Sequence, residues 1–96
     1  MTKQCINYNT GLNDYLKVIN EPNRLKILCL LKKHKMCVCG IEESLSLPQN
    51  LVSHHLGVLK DYGLLSSERE GQKIIYFRQE ENIARYQQLL NKLINL

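Results

Sequence analysis

The chain has 96 residues, 44% of them hydrophobic, with 13 Lys and Arg against nine Asp and Glu for a formal charge of +4. That length fits one small domain whose core is marginal for a lone monomer, so a second copy is expected to complete the burial. No stretch approaches the ~18 apolar residues of a membrane span, and no secretion signal opens the chain; the cytoplasm is the expected compartment, where the four cysteines serve as ligands, redox sensors or core residues and not as disulfides.

Tyr8, Leu12, Tyr15, Leu16 and Ile19 recur at helical spacing, which predicts a first helix to about Asn20, with Asn9 or Thr10 as its cap. Glu21-Pro22 interrupts it. A second helix over "NRLKILCLLKK" is predicted to start at the cap-forming Asn23. Leu25, Ile27, Leu28, Leu30 and Leu31 make it apolar around most of its circumference, as a core helix is, and Cys29 reads as a packing residue. Lys32, Lys33 and Lys35 load its C-terminal end, where cations favour the dipole.

A short third helix covers roughly residues 39–45, and Pro48 breaks the chain before "QNLVSHHLGVLKDYGLL", a fourth helix closing at Gly63. Its two faces separate. Val52, Leu56 and Leu59, flanked by Leu51 and His55, form an apolar stripe, with His55 expected as a packed, hydrogen-bonded core histidine. Gln49, Asn50, Ser53, His54 and Gly57 fall on the other side, a face that is short-chained and rich in hydrogen-bonding groups where a plain solvated face carries Lys and Glu. After Gly63 the period changes: "LLSSERE" and "KIIYFRQ" read as two strands of a hairpin with Gly71 at its tip and Arg69, Gln72 and Lys73 nearby. "EENIARYQQLLNKLINL" is a last helix with Ile83, Tyr86, Leu90, Leu93 and Ile94 on one side.

Four helices, a hairpin and a fifth helix, mainly α with a β-hairpin wing, predict a winged helix-turn-helix that fills residues 1–96 as one domain, with 1–9 as a flexible N-terminal segment and 80–96 as a C-terminal dimerisation helix. In such a fold the polar helix enters the major groove of double-stranded DNA. Asn and Gln pair with adenine edges, Ser and His reach bases or phosphates, and Gly57 lets the backbone come close. Arg69, Gln72 and Lys73 would meet phosphates or the adjacent minor groove from the wing.

The segments "NEPNRLKILCLL", "CVCGIEESL" and "VSHHLGVLKDYGLLSSEREGQKIIYF" resemble the ArsR/SmtB family of metal-responsive repressors, over residues from about 10 to 95. Ser53-His54-His55-Leu56 with Leu59 and Gly63-Leu64 matches the family's recognition helix, and Arg69-Glu70-Gly71 with Tyr76 matches its wing. The resemblance implies a homodimer built on the first and last helices, through Leu12, Tyr15, Leu16, Ile83, Tyr86, Leu90 and Leu93. It also implies binding to an imperfect palindromic operator and release of that operator when an inducer binds.

Cys37-Val38-Cys39 stands where arsenic and cadmium repressors of the family carry their Cys-Val-Cys pair. A spacing of one residue puts both side chains on one side of an extended segment, and the start of the third helix together with Lys35 lowers the thiolate pKa. Soft thiolates select As(III), Sb(III), Cd(II) or Pb(II) as inducer, with no organic cofactor. Such ions take three or four thiolates, and the candidates for a third are Cys5, which resembles the N-terminal cysteines of cadmium and lead sensors that reach the pair on the other protomer, and Cys29 on the second helix; a pair with no third thiolate is the remaining alternative. The position of a further Cys in some arsenic repressors is Glu42, the usual acidic residue after the pair is Gly40, and Pro48 replaces a capping Ser for which Ser46 substitutes. The last helix has neither His nor Asp, which argues against the family's zinc, nickel or cobalt site. Two other readings stay within reach, a thiol redox-sensing repressor and a winged-helix module that binds protein. An enzyme is not expected, since no base is oriented toward a cysteine nucleophile.

Overall fold

The structure, a computed structural model, describes residues 11–94. Eight elements follow one another: α1 (Leu12–Ile19), α2 (Pro22–Leu30), β1 (Met36–Cys37), α3 (Val38–Leu45), α4 (Gln49–Asp61), β2 (Leu65–Glu70), β3 (Lys73–Arg78) and α5 (Glu80–Ile94). The winged helix-turn-helix is present. Its hairpin carries one strand more than the sequence predicts, because Met36 and Cys37 pair antiparallel with Tyr76 and Ile75 and give a three-stranded order β1-β3-β2. Two residues are too few for a period of two to register in the sequence.

The helix starts differ from expectation. α1 begins after Gly11, whose φ of 79° suits a residue without Cβ, and its carbonyl accepts a hydrogen bond from Tyr62 Oη at 2.5 Å; Tyr8, Asn9 and Thr10 lie outside the described residues. α2 starts at Pro22, not Asn23. The Glu21 carboxylate caps it, accepting from Asn23 N–H at 2.6 Å and Arg24 N–H at 3.0 Å, with proline at the first helical position where its missing N–H costs nothing. Nor does α2 bury its whole circumference: Ile27 is fully buried, Leu25 is 49% exposed, and Cys29 is exposed instead of packed.

The core is centred on α4. Val52, Leu56 and Leu59 are fully buried with Ile27 of α2, Ile41 of α3 and Leu64 beside β2. Gly63 closes α4 at φ 83°, and Asn82 of α5 donates to its carbonyl at 2.8 Å. Tyr15 of α1 stacks on Tyr86 of α5 with ring centroids 4.7 Å apart, and Tyr62 leans on the same ring at 5.6 Å. Tyr15, Ile83 and Tyr86 are therefore buried within one chain, where they clamp α5 onto α1. Leu12 and Leu90 are half-buried, while Leu16 and Leu93 remain exposed on the outer side.

His55 is buried as expected, but among the described residues neither ring nitrogen has a hydrogen-bond partner; Glu21 Oε1 stands 3.8 Å from Nε2, at ion-pair distance. Burial pushes its pKa below the ordinary range, with the Glu21 charge opposing that shift and Arg24 and His54 adding to it. The folded chain then binds the proton less readily than the unfolded one. Its contribution to stability is complete above the unfolded pKa of about 6.5 and is lost as pH falls through the depressed folded value. Thermal midpoints should thus drop between about pH 7 and pH 5, and His55→Leu should flatten that decline when the two proteins are melted side by side.

Candidate functional site

Cys37 ends β1 and caps α3. Its backbone is still extended, at φ −78° and ψ 165°, and its sulfur accepts a hydrogen bond from Gly40 N–H at 3.3 Å. Cys39 already lies in the first turn of α3, so the two thiols do not share an extended segment; the turn of the cap brings them together instead, with Sγ 2.6 Å from Sγ. Gly40 belongs to this arrangement. A Cβ there would stand 3.2 Å from Met36 Cε and 3.7 Å from Cys37 Sγ, so a side chain in its place would press on the end of Met36 and meet the capping sulfur at ordinary contact distance.

The two thiols also differ in acidity, where the sequence led us to expect both to be lowered. Cys37 is pulled below the ordinary thiol range, first by its hydrogen bond with Cys39 and then by that from Gly40 N–H, while Cys39 is pushed up, first by the same contact and then by burial. The cation that favours both thiolates is Lys73 of β3. Lys35 is engaged elsewhere, in an ion pair with Glu68 at 2.8 Å. Strand pairing explains the difference: Cys37 sits opposite Ile75, and Lys73, two residues along the same strand, falls on the same face.

Where the chain leaves β1 for α3, the edge of β3 beyond Ile75 has no strand partner among the described residues, and a cleft of about 410 Å³ opens there. Cys37, Val38, Cys39 and Glu42 line one side of it; Gln72, Lys73 and Ile74 of the wing line another; Gln49, the first residue of α4, completes it. The donors are soft and accessible, which fits a thiophilic ion. Among the described residues no three His, Cys, Asp or Glu side chains stand close enough to hold an ion together. Cys37 and Cys39 thus supply two donors of the three or four needed, and Cys5 lies outside the described residues.

The outer face of α4 is as the sequence reads it. Gln49, Asn50, Ser53 and His54 are all exposed, against the buried Val52, His55, Leu56 and Leu59 behind them. No side chain caps its first turn, where Pro48 is the cap residue; Ser46 does not substitute, since it closes α3 in a left-handed conformation at φ 55°. Arg69, Gln72 and Lys73 are exposed at the hairpin tip around Gly71. In the hairpin register Arg69 faces Ile74 and Glu70 faces Lys73, so Arg69 and Lys73 project from opposite faces.

An exposed polar helix on a buried apolar stripe, followed by a three-stranded wing and preceded by a dithiol turn, is the build of a winged helix-turn-helix transcription regulator. Residues 21–67 match the family described as "Bacterial regulatory protein, arsR family". The chain is 35% identical over 81 residues to an uncharacterized HTH-type transcriptional regulator, MJ1325, of Methanocaldococcus jannaschii, covering 83% of this chain and 91% of that one. It is 33% identical over 73 residues to the cadmium resistance transcriptional regulatory protein CadC of Listeria innocua, covering 74% of this chain but only 61% of the regulator. Its fold superposes on the homodimeric winged helix-turn-helix DNA-binding domain of Mb0332 from Mycobacterium bovis with a TM-score of 0.70 at 26% identity, covering 94% of this chain and 87% of that domain. The chain belongs to the ArsR/SmtB family of transcriptional repressors, and its relatives are regulators, not enzymes. Among the described residues no helix is long and apolar enough to cross a membrane.

Proposed function

We propose that this protein is a cytoplasmic, homodimeric repressor that leaves an imperfectly palindromic operator when a thiophilic ion, As(III) or Sb(III) or else Cd(II) or Pb(II), binds Cys37 and Cys39. The observation that carries this reading is the single cleft shared by the two thiols, the first residue of α4 and the wing. Loading the thiols releases their protons, and reshaping the cap turn shifts α3 against α4, with which it packs through Ile41. The relative named for cadmium resistance supports a thiophilic inducer. Cys5, from this chain or its partner, is the third ligand in this reading. The homodimeric state of the Mycobacterium domain supports pairing here, and Leu16 and Leu93, each 37% exposed on the outer side of α1 and α5, offer the apolar surface for it.

On DNA, Gln49, Asn50, Ser53 and His54 read bases from the major groove while the uncapped first turn of α4 offers its N–H groups to a phosphate. Arg69, Gln72 and Lys73 add wing contacts. Asn50→Ala and Ser53→Ala are each expected to lose about 1–3 kcal/mol of discrimination at one base pair, measured as the affinity ratio between the operator and a single-substituted duplex. A ratio equal to wild type for both variants would remove α4 as the reading helix.

The test of the whole reading is operator binding by fluorescence anisotropy at fixed salt, with As(III), Sb(III), Cd(II), Pb(II), Zn(II) or peroxide added in turn. Release by a thiophilic ion is the expected result. Release by peroxide alone would make the pair a redox switch, and weak binding nearly independent of salt would leave a protein-binding module.

A further inference from the structure

The reading helix sits on α2 around one imidazole that the operator reading leaves without a task. His55 lies on the buried side of α4, 5% exposed, and its ring centroid is 5.4 Å from that of the exposed His54. Among the described residues four buried side-chain nitrogens lack a hydrogen-bond partner. Three of them are His55 Nδ1, His55 Nε2 and Arg24 Nε, while the fourth, Arg78 Nε, has Glu80 Oε2 at 2.9 Å. The carboxylate nearest the ring is engaged elsewhere: Glu21 Oε1, 3.8 Å from His55 Nε2, accepts the Asn23 and Arg24 N–H groups that start α2. Glu21 and Arg24 from α2 and His54 from α4 itself are the charged or titratable groups that face the imidazole; α3 and β2, which also pack on α4, bring none to it among the described residues.

We propose that His55 is a proton-sensitive latch of the reading helix: neutral, it lets α4 sit on α2 in the position that reads the operator, and charged, it forces α4 off that seat and weakens operator binding. The proposal rests on the reading of α4 as the helix that enters the major groove. A neutral imidazole tolerates an apolar seat. An imidazolium carries two N–H donors and a charge, and neither stays buried without partners. Water reaches the ring if α4 lifts from α2; otherwise Glu21 turns to the ring, gives up the Asn23 and Arg24 N–H groups and leaves the first turn of α2 uncapped. Both movements act at the α2–α4 junction, beside Ser53 and His54, so they displace the face that reads bases. The proton comes from solvent and returns to it. With α4 seated, the operator-bound chain holds the His55 proton more weakly than the free chain does. Operator preference is therefore full above the ring's ordinary pKa of about 6.5 and falls as pH drops through the folded value, which burial holds lower against the pull of Glu21.

Affinities for the operator and for an unrelated duplex, measured by anisotropy at fixed salt between about pH 8 and about pH 5.5, at a temperature where circular dichroism shows the chains folded, test this. Taking their ratio removes the general gain in phosphate attraction that acid gives through exposed histidines. Wild type should lose up to about tenfold in that ratio per pH unit below its midpoint, the limit for one proton. His55→Leu should hold the ratio flat, and His54→Gln should keep the wild-type fall. Glu21→Gln, whose amide oxygen still caps α2 but no longer favours the imidazolium, should move the fall to lower pH. A ratio that is flat or rises with acid in wild type would overturn the proposal, as would an equal fall in His55→Leu. Where His55→Leu does not fold, an unmoved midpoint in Glu21→Gln overturns it instead. Wild type that prefers the operator at no pH would sink the reading of α4 itself, and this proposal with it.

Discussion

Cys37→Ser and Cys39→Ser are each expected to bind the operator as wild type does and to stay bound when the inducing ion is added. Serine is among the best helix caps, so a hydroxyl at position 37 accepts the Gly40 N–H in place of sulfur and α3 keeps its start. Cys39 is exposed, and its replacement by an isosteric hydroxyl leaves the core untouched. What each variant loses is a soft donor, and one remaining thiol cannot chelate. Allosteric coupling of this kind amounts to about 1–3 kcal/mol, or about 5- to 150-fold in operator affinity. Anisotropy titrations with and without the ion should give that ratio for wild type and a ratio near one for either variant. Full release from both serine variants would dismiss the pair as the sensing site.

The largest effect on stability is expected at Ile41. It is fully buried and belongs to the cluster that also holds Ile27, Val52, Leu56 and Leu59, so it is part of the packing of α3 on α4. Ile41→Ala removes three carbons and leaves a cavity, at a cost of about 2–5 kcal/mol. For a domain of this size each kcal/mol lowers the thermal midpoint by about 4–8 °C. Since the proposed pairing of copies would add a concentration term, melts of wild type and variant belong at one protein concentration. Leu25→Ala, at a residue 49% exposed, supplies the comparison and should shift the midpoint far less. A shift for Ile41→Ala no larger than for Leu25→Ala would remove α3 from the core.

Much of this was legible in the chain. The change from helical to alternating period after Gly63 placed the wing, and the split faces of α4 separated Val52, Leu56 and Leu59 from Asn50, Ser53 and His54, because burial of one helical face leaves a pattern that recurs every three or four residues. Cap choice was less legible. Asn23 is a good cap by type, but Glu21 took the role because Pro22 fits the first helical position and carries no N–H to satisfy. Cys29 looked like core because free cysteine usually is; which side of α2 meets α4 is not written in a helix that is apolar nearly all round.

The sequence by itself determined the order of the five helices and the hairpin, the polar face of α4 and the presence of a Cys-Val-Cys pair, since each depends on residues close together in the chain. Only the tertiary structure decided what surrounds that pair. The short strand β1 sets Cys37 opposite Ile75, and that register brings Lys73, 36 positions along from Cys37, to the thiols while Glu68 draws Lys35 away. Contacts between residues so far apart come from strand pairing and packing, where period and composition carry no record of which cation ends beside which thiol.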